Sequence, residues 1–264
     1  MRKIILLTSV LAALSACKTP APVAPLNREP HALSIAPGVI IINTDTLAGM
    51  LAAANLVTEN PGGTHSPSGP SWTTYYTAAV FWDTSQTNLK ANDVELNGIS
   101  IPLQSDNWYY TSSAQTFGTS MHWQVTANDS GTVPSIDTTI SAPNIFHVTS
   151  PVPIVDTVSV GVGFTCTYGN PGTDSVNIYI TYDSVATEAL VDTSNHTPEP
   201  TPVETVVPNT GSFTVSGAML SGFPTSGLLR VFITAYKWEE VTVSGKKYLV
   251  AAVSRARTYC FLKP

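Results

Sequence analysis

The chain has 264 residues, a formal net charge of −6 at pH 7 and 11% charged residues, against roughly 25% in typical soluble domains. It carries no basic cluster, so composition excludes the electrostatic footprint of a nucleic-acid-binding protein. Beyond the N-terminal segments, about 225 residues remain, enough for one large or two ordinary domains.

The N-terminus contains the three parts of a secretory signal. Two cations at residues 2 and 3 precede the apolar run Ile4–Leu14, and small residues lead to Cys17. The apolar run is too short to span ~30 Å of hydrocarbon, which takes ~20 helical residues. The stretch Leu14-Ser15-Ala16-Cys17 resembles the lipobox of bacterial lipoproteins, in which the Cys is lipidated and begins the mature chain. The alternative is an ordinary secretory signal that ends beside a Cys by chance.

The lipobox resemblance implies a signal peptide over residues 1–16 and a Cys17 that carries acyl chains such as palmitate. Residues 17–37 contain five prolines, which predict an extended tether. The resemblance implies that this tether is lipidated at its first residue, Cys17. Lys18 follows the Cys, whereas in such lipoproteins an Asp there favours retention in the inner membrane. We therefore predict an outer-membrane lipoprotein that faces the periplasm or the cell surface. Over residues 1–17 the chain resembles uncharacterised lipoproteins of Bacteroidetes type.

Residues 38–147 are predicted to form a first β-sandwich domain with one short helix near residues 45–57. Thr44 or Asp45 can cap this helix, and apolar residues then recur at helical spacing. Strands follow from residue 71, and the sharpest signal lies in residues 94–101. There Asn97-Gly98, between alternating apolar residues, predicts a two-residue type I′ hairpin turn.

Residues 148–264 are predicted to form a second β-sandwich domain with an immunoglobulin-like arrangement. Apolar residues alternate from Val158 to Cys166, as in a half-buried strand. Two long strands, 228–243 and 246–261, are joined by Ser244-Gly245, which suits another tight turn. Many short strands with turn signals and little helix predict a mainly β fold of two antiparallel sandwiches.

The cysteines predict a disulfide. If Cys17 carries lipid, then Cys166 and Cys260 remain as an even pair in an exported protein, where disulfides persist. The alternative is two separately buried thiols, since free Cys packs as a small hydrophobic residue.

Catalytic and metal-binding motifs are missing from the sequence. It contains no Gly-x-Ser-x-Gly elbow, no His-Glu-x-x-His, no phosphate loop and no EF-hand loop. The five His residues are scattered without metal-ligand spacing, and His122 is interpreted as a packed or surface side chain. We therefore predict no enzyme activity, no metal and no cofactor. The alternative is a catalytic site assembled from distant positions, which leaves no local motif in the sequence.

Aspartate is unusually often followed by Ser or Thr, in eight of ten cases. Five of these pairs continue with an aliphatic residue or Thr, which resembles the O-glycosylation sequon of exported Bacteroidetes proteins. The resemblance implies glycosylation at Thr46, Thr138, Thr157, Ser175 and Ser184. The alternative is that Asp begins strands and turns here by bonding its own backbone.

Aromatic residues are concentrated in the first domain, where four of the five Trp fall between residues 72 and 123. Aromatic rings stack on sugars and anchor protein contacts, so we predict a ligand-binding face that includes Trp72, Trp108 or Tyr109. Because strand residues alternate, Trp108 and Tyr110 should share one face while Tyr109 takes the other. The alternative is that these rings are core packing.

These observations predict a lipid-anchored envelope protein that is a non-catalytic binding module for a glycan or a protein. It would contact the membrane through its N-terminal lipid and would not bind nucleic acid. The alternative is a structural envelope lipoprotein without a diffusible ligand. An exposed aromatic groove favours the first function, and featureless Ser/Thr faces favour the second.

Overall fold

A computed structural model describes residues 47–59, 72–85, 87–153, 156–183 and 200–263. It confirms the prediction of a mainly β protein. The strands up to residue 141 are β1 (Leu47–Thr58), β2 (Trp72–Trp82), β3 (Asn88–Leu89), β4 (Asp93–Leu96), β5 (Ile99–Ser100), β6 (Trp108–Thr111), β7 (Ser120–Thr126) and β8 (Ile136–Ser141). The later strands are β9 (Val148–Ser150), β10 (Thr157–Ser159), β11 (Gly163–Tyr168), β12 (Ser175–Tyr182), β13 (Val203–Pro208), β14 (Ser212–Ser216), β15 (Gly227–Val243) and β16 (Lys246–Lys263).

Helical structure within these ranges is confined to two 3-10 turns, Ser105–Asn107 and Ala114–Thr116. The described part of the chain contains no helix with the length and apolar character needed to cross a membrane.

The strands form two sheets. The larger has the order β13-β12-β15-β16-β1-β2-β3, and β6, β9, β10, β11 and β14 join it off this path. The smaller has the order β5-β4-β7-β8 and is antiparallel throughout. In the larger sheet β10 runs parallel to β16, with Thr157 opposite Phe261, and antiparallel to β11.

The described residues divide into two compact units. The described residues of unit 1 lie within 47–54, Tyr75–Ser141 and Trp238–Ala252. Those of unit 2 lie within 55–59, 72–74, Ala142–Lys237 and 253–263. Strands β1, β2, β15 and β16 contribute residues to both units. The division of the chain at residues 147 and 148 stays a prediction.

The helix predicted near residues 45–57 is wrong, because Leu47–Thr58 form strand β1. Eleven of its twelve residues are buried, including side chains that point to opposite faces. A strand buried on both faces reads as a continuous apolar run without period-2 alternation, and short runs of this kind resemble helix segments. Alanine favours helix by a few tenths of a kcal/mol per residue, which sheet burial overrides.

Gly49, in β1, lies where the chain has no room for a side chain. A Cβ atom at this position would lie 2.8 Å from the carbonyl oxygen of Val80 and 2.9 Å from the ring of Tyr248. The neighbouring elements approach so closely that any side chain would displace backbone. A residue without a side chain at position 49 is therefore a packing requirement of β1.

The two predicted hairpin turns are confirmed. Asn97 and Gly98 both have positive φ, 53° and 74°, and Leu96 pairs with Ile99 across the turn. Ser244 and Gly245 also have positive φ, between the end of β15 and the start of β16. Both central residues of a type I′ turn need positive φ. This local requirement explains why the sequence located these turns correctly.

The predicted disulfide is wrong, because Cys166 and Cys260 are free thiols that are not at bonding distance. Both belong to the hydrophobic core of unit 2, and neither is exposed. Burial raises the pKa of Cys166 to about 12 and also raises the pKa of Cys260, which the nearby Cys166 raises further. Since the thiolate is the reactive form, both thiols behave as small hydrophobic residues.

Candidate functional site

The strongest candidate site lies in unit 1, where β6 pairs antiparallel with β2. The register sets Val80 opposite Trp108 and Ala78 opposite Tyr110. Because alternate strand residues share a face, Trp108 and Tyr110 lie on the same side of the sheet. We call the set Tyr76, Trp108 and Tyr110 the aromatic face.

The rings of the aromatic face contact one another in sequence. The Trp108 and Tyr110 rings are stacked, with centroids 5.7 Å apart and planes 26° apart. The Tyr110 and Tyr76 rings are tilted by 40°, with centroids 6.5 Å apart. All three side chains are half-buried, so each keeps part of its surface in contact with solvent. Such geometry lies within the range of favourable aromatic pairs.

A buried cluster supports the aromatic face. Trp108 and Trp238 both pack against it as partly buried side chains. The cluster consists of Leu47, Met50, Ala52, Val80, Trp82, Leu249 and Ala251. The indole N–H of Trp82 donates to the carbonyl oxygen of Leu47 at 2.6 Å, which orients that ring. The Trp108 ring therefore rests on a well-packed base, which reduces the entropy that it loses on binding.

The electrostatics of this face are those of a neutral surface. Burial raises the pKa of the Tyr110 hydroxyl, and the nearby Tyr76 hydroxyl raises it further. The phenol therefore stays protonated at neutral pH, where it can both donate and accept a hydrogen bond. The face offers apolar ring surface and neutral hydroxyls to a ligand.

Of the three aromatic residues predicted for ligand binding, Trp108 alone is placed on this face. Tyr109 is only 3% exposed; its hydroxyl donates to the Ala91 carbonyl at 2.7 Å, and its ring packs edge-on against Phe81. Its ring is core, as the alternation of β6 predicts for the opposite face. Trp72 begins β2, but its side chain lies outside the described part of the structure.

Sequence reasoning left Tyr76, Tyr110 and Trp238 out of the site. The same alternation that separates Trp108 from Tyr109 indicated that Tyr110 accompanies Trp108. Trp238 carries no such local signal, because it reaches the cluster from β15, more than a hundred residues away in the sequence.

The predicted modification sites are scattered over the fold. Thr157 is exposed on β10, whereas Thr138 and Ser175 are half-buried on β8 and β12. Cys17, Thr46 and Ser184 lie outside the described residues, as do the predicted signal peptide and tether. Glycosylation and lipidation stay predictions.

Two imidazole–carboxylate pairs are the groups that most resemble catalytic machinery. His122 Nε2 lies 2.8 Å from Asp137 Oδ1, and this hydrogen bond lowers the pKa of Asp137. His147 Nδ1 lies 2.9 Å from Glu59 Oε1, which also accepts the backbone N–H of Val148. Within the described chain, neither imidazole bonds a Ser, Thr or Cys side chain, so neither pair extends to a nucleophile.

Metal-ligand geometry is also missing from the described ranges. No three His, Cys, Asp or Glu side chains in them come close enough together to hold a metal ion. This leaves the aromatic face as the site with the clearest binding chemistry.

Comparison with known proteins adds no family to this picture. No protein-family model matches the chain, and no curated protein sequence matches it significantly.

Proposed function

We propose that this chain is a lipid-anchored protein of the bacterial outer envelope that binds a glycan or a protein through its aromatic face and catalyses no reaction. The observation that carries the proposal is a row of three half-buried rings on one side of β2 and β6, with Trp108 stacked on Tyr110 and Tyr110 tilted against Tyr76. In a chain with 11% charged residues, ring surface is the main remaining source of contact energy.

The anchor and the finer architecture belong to the same proposal. The lipobox-like stretch Leu14–Cys17 supports attachment to the outer membrane through lipid. Antiparallel pairing throughout the smaller sheet, and the strand content of both units, support a pair of immunoglobulin-like β-sandwiches.

Replacing Trp108 by Ala is expected to abolish most binding while leaving the fold intact. Loss of a hot-spot ring weakens binding by about 2 kcal/mol or more. Folding should lose about 1 to 2 kcal/mol, since the ring is half-buried. Quenching of tryptophan fluorescence by cellohexaose tests whether the ligand is a glycan, and thermal melting measures stability.

Tyr109→Ala is the matched control, since Tyr109 is the next residue of β6 and faces the core. It should cost about 3 to 5 kcal/mol of folding free energy, like other large buried rings. If Trp108→Ala destabilises the protein as strongly as Tyr109→Ala, the aromatic face is core packing. The chain would then be a structural envelope lipoprotein without a diffusible ligand.

Replacing Cys17 by Ser is expected to release the protein from the membrane. Several acyl chains hold a lipoprotein stably, at about 0.8 kcal/mol per buried methylene, and all of them require the Cys17 sulfur or its new amino terminus. Metabolic labelling with a fatty acid measures the effect. Cys166→Ala should keep the label, because that thiol is buried in the core of unit 2. Label on Cys17→Ser would refute the lipobox interpretation.

A further inference from the structure

Strand β14, in unit 2, lies at an edge of the larger sheet. It pairs antiparallel with β11, and Thr214 lies opposite Thr165. No other strand of the described chain pairs with β14. The side of β14 away from β11 is therefore an edge, where the backbone groups of a strand can pair with another chain.

The hydrogen bonds to β11 show which residues of β14 face this edge. The backbone N–H of Tyr168 donates to the carbonyl oxygen of Gly211 at 2.9 Å, so this pair is a hydrogen-bonded pair of the ladder. Hydrogen-bonded and non-hydrogen-bonded pairs alternate along antiparallel strands. The residues whose backbone groups point away from β11 are therefore Ser212, Thr214 and Ser216. We call these three residues the β14 edge.

The centre of the β14 edge has no backbone partner within the described chain. No described residue bonds the backbone N–H or C=O of Thr214, and none accepts the backbone N–H of Ser212 or Ser216. The carbonyl oxygen of Ser216 accepts the N–H of Met219 at 3.1 Å. That of Ser212 accepts the hydroxyl of Thr210 at 2.9 Å. Each of these two carbonyl oxygens keeps a second lone pair for another donor.

The chain that follows β14 turns away from this edge. A Cβ atom at Gly217 would lie 2.2 Å from the carbonyl oxygen of Gly161, in the turn between β10 and β11. Leu220 and Phe223 then enter the hydrophobic core of unit 2. The segment 217–223 therefore passes on the β11 side of β14 and does not cover the β14 edge.

The β14 edge also lacks the features that protect other edge strands. Charged side chains and prolines on an edge discourage pairing with another chain. Of the other described edge strands of similar length, β13 carries Glu204 and Pro208, and β8 carries Asp137. Strand β14, Ser212–Ser216, contains neither a charge nor a proline. Its composition therefore favours pairing with a further strand.

We infer that β14 pairs with β14 of a second copy of this chain, antiparallel about a two-fold axis at Thr214. In this register Thr214 meets its own symmetry mate as a hydrogen-bonded pair, and Ser212 meets Ser216. On the core side, the half-buried Phe213 meets Val215. Hydroxyl side chains thus meet hydroxyl side chains, apolar side chains meet apolar ones, and the paired strands carry no charge. This match of the strand with itself favours a second copy over an unrelated peptide.

The dimer should be weak and reversible, because pairing along five residues buries less surface than a standard interface of about 1,600 Å². Sedimentation velocity of the full chain should show a monomer–dimer equilibrium with a dissociation constant of about 100 μM or tighter. A chain that stays monomeric at several times that concentration would overturn the inference. This surface is separate from the aromatic face, and the inference does not depend on the proposed function.

Thr214→Pro removes the central N–H donor from both copies and should weaken dimerisation at least tenfold. Because this N–H points away from β11, thermal melting of the variant should be nearly unchanged, as for other edge prolines. Thr214→Val is the matched control, since it keeps the backbone donor and a β-branched side chain, and it should dimerise normally. Undiminished dimerisation of Thr214→Pro would place the contact between copies elsewhere and overturn the inference.

Hydrogen exchange of the wild-type protein gives a test that does not depend on the folding of any variant. Exchange at the Thr214 N–H should slow at least tenfold when the protein is concentrated from the monomeric to the dimeric range. Exchange at the Val215 N–H, which points at β11, should be slow at both concentrations. Protection of the Thr214 N–H that persists on dilution would show that another segment of the same chain covers this edge. That result, or rapid exchange at both concentrations, would overturn the inference.

Discussion

Trp123→Ala is expected to lower the free energy of unfolding by about 3 to 5 kcal/mol. Trp123 lies on β7, between β4 and β8 in the smaller sheet, where it pairs with Leu96 and Thr138. Its side chain is 0% exposed and is among the largest fully buried side chains of the described chain. Truncation would leave a cavity that the strands on either side cannot close. Urea denaturation monitored by far-UV circular dichroism measures the loss.

Trp123→Phe is the matched control. The indole Nε1 of Trp123 is buried and makes no hydrogen bond within the described residues. Removing an unpaired donor while keeping most of the ring volume should cost less than about 1.5 kcal/mol. If Phe costs as much as Ala, retained ring volume does not preserve stability, and the cavity argument fails.

Gly163→Ala is expected to destabilise the protein by about 2 to 5 kcal/mol. Gly163 has φ +84°, a conformation that costs about 1 to 3 kcal/mol for a residue with a side chain. Its Cβ would also lie 2.0 Å from the carbonyl oxygen of Val215, in the strand that pairs with it. Relieving this overlap requires β11 and β14 to move apart, which adds the cost of overpacking.

Gly161→Ala tests whether the effect is specific to position 163. Gly161 lies two residues earlier, and its Cβ would meet only the Ser159 hydroxyl, at 3.9 Å, among the described residues. We expect a change within about 0.5 kcal/mol. Equal destabilisation by both variants, measured by thermal melting, would show that the turn tolerates no side chain at all and that the approach of β14 is irrelevant.

Local requirements could be read from the sequence. The turns at Asn97-Gly98 and Ser244-Gly245 need positive φ at two adjacent positions. Each pair ends in Gly, which adopts positive φ readily, so the residue types themselves indicate a turn. The alternation of β6 likewise predicted that Tyr109 would face away from Trp108 and Tyr110. In both cases the determining interaction spans a few residues, so one segment carries the whole signal.

The placement of the two arginines of β16 could be inferred from the sequence only in part. Arg255 and Arg257 alternate along β16, so their common face could have been inferred from spacing alone. Their position above Phe232 could not, because that ring belongs to β15 and the cations stack on it across the sheet.

Long-range packing decided the rest. The residues of β1 have a composition compatible with helix, and their strand conformation comes from burial on both faces and from the approach of Val80 and Tyr248 to Gly49. Cys166 and Cys260 share one core, yet an even count of cysteines carries no information on the distance between their sulfurs. The sequence by itself determined turns and alternation, because these depend on neighbouring residues. Which faces meet, and how closely, was decided by the tertiary structure, because those contacts join residues far apart in the chain.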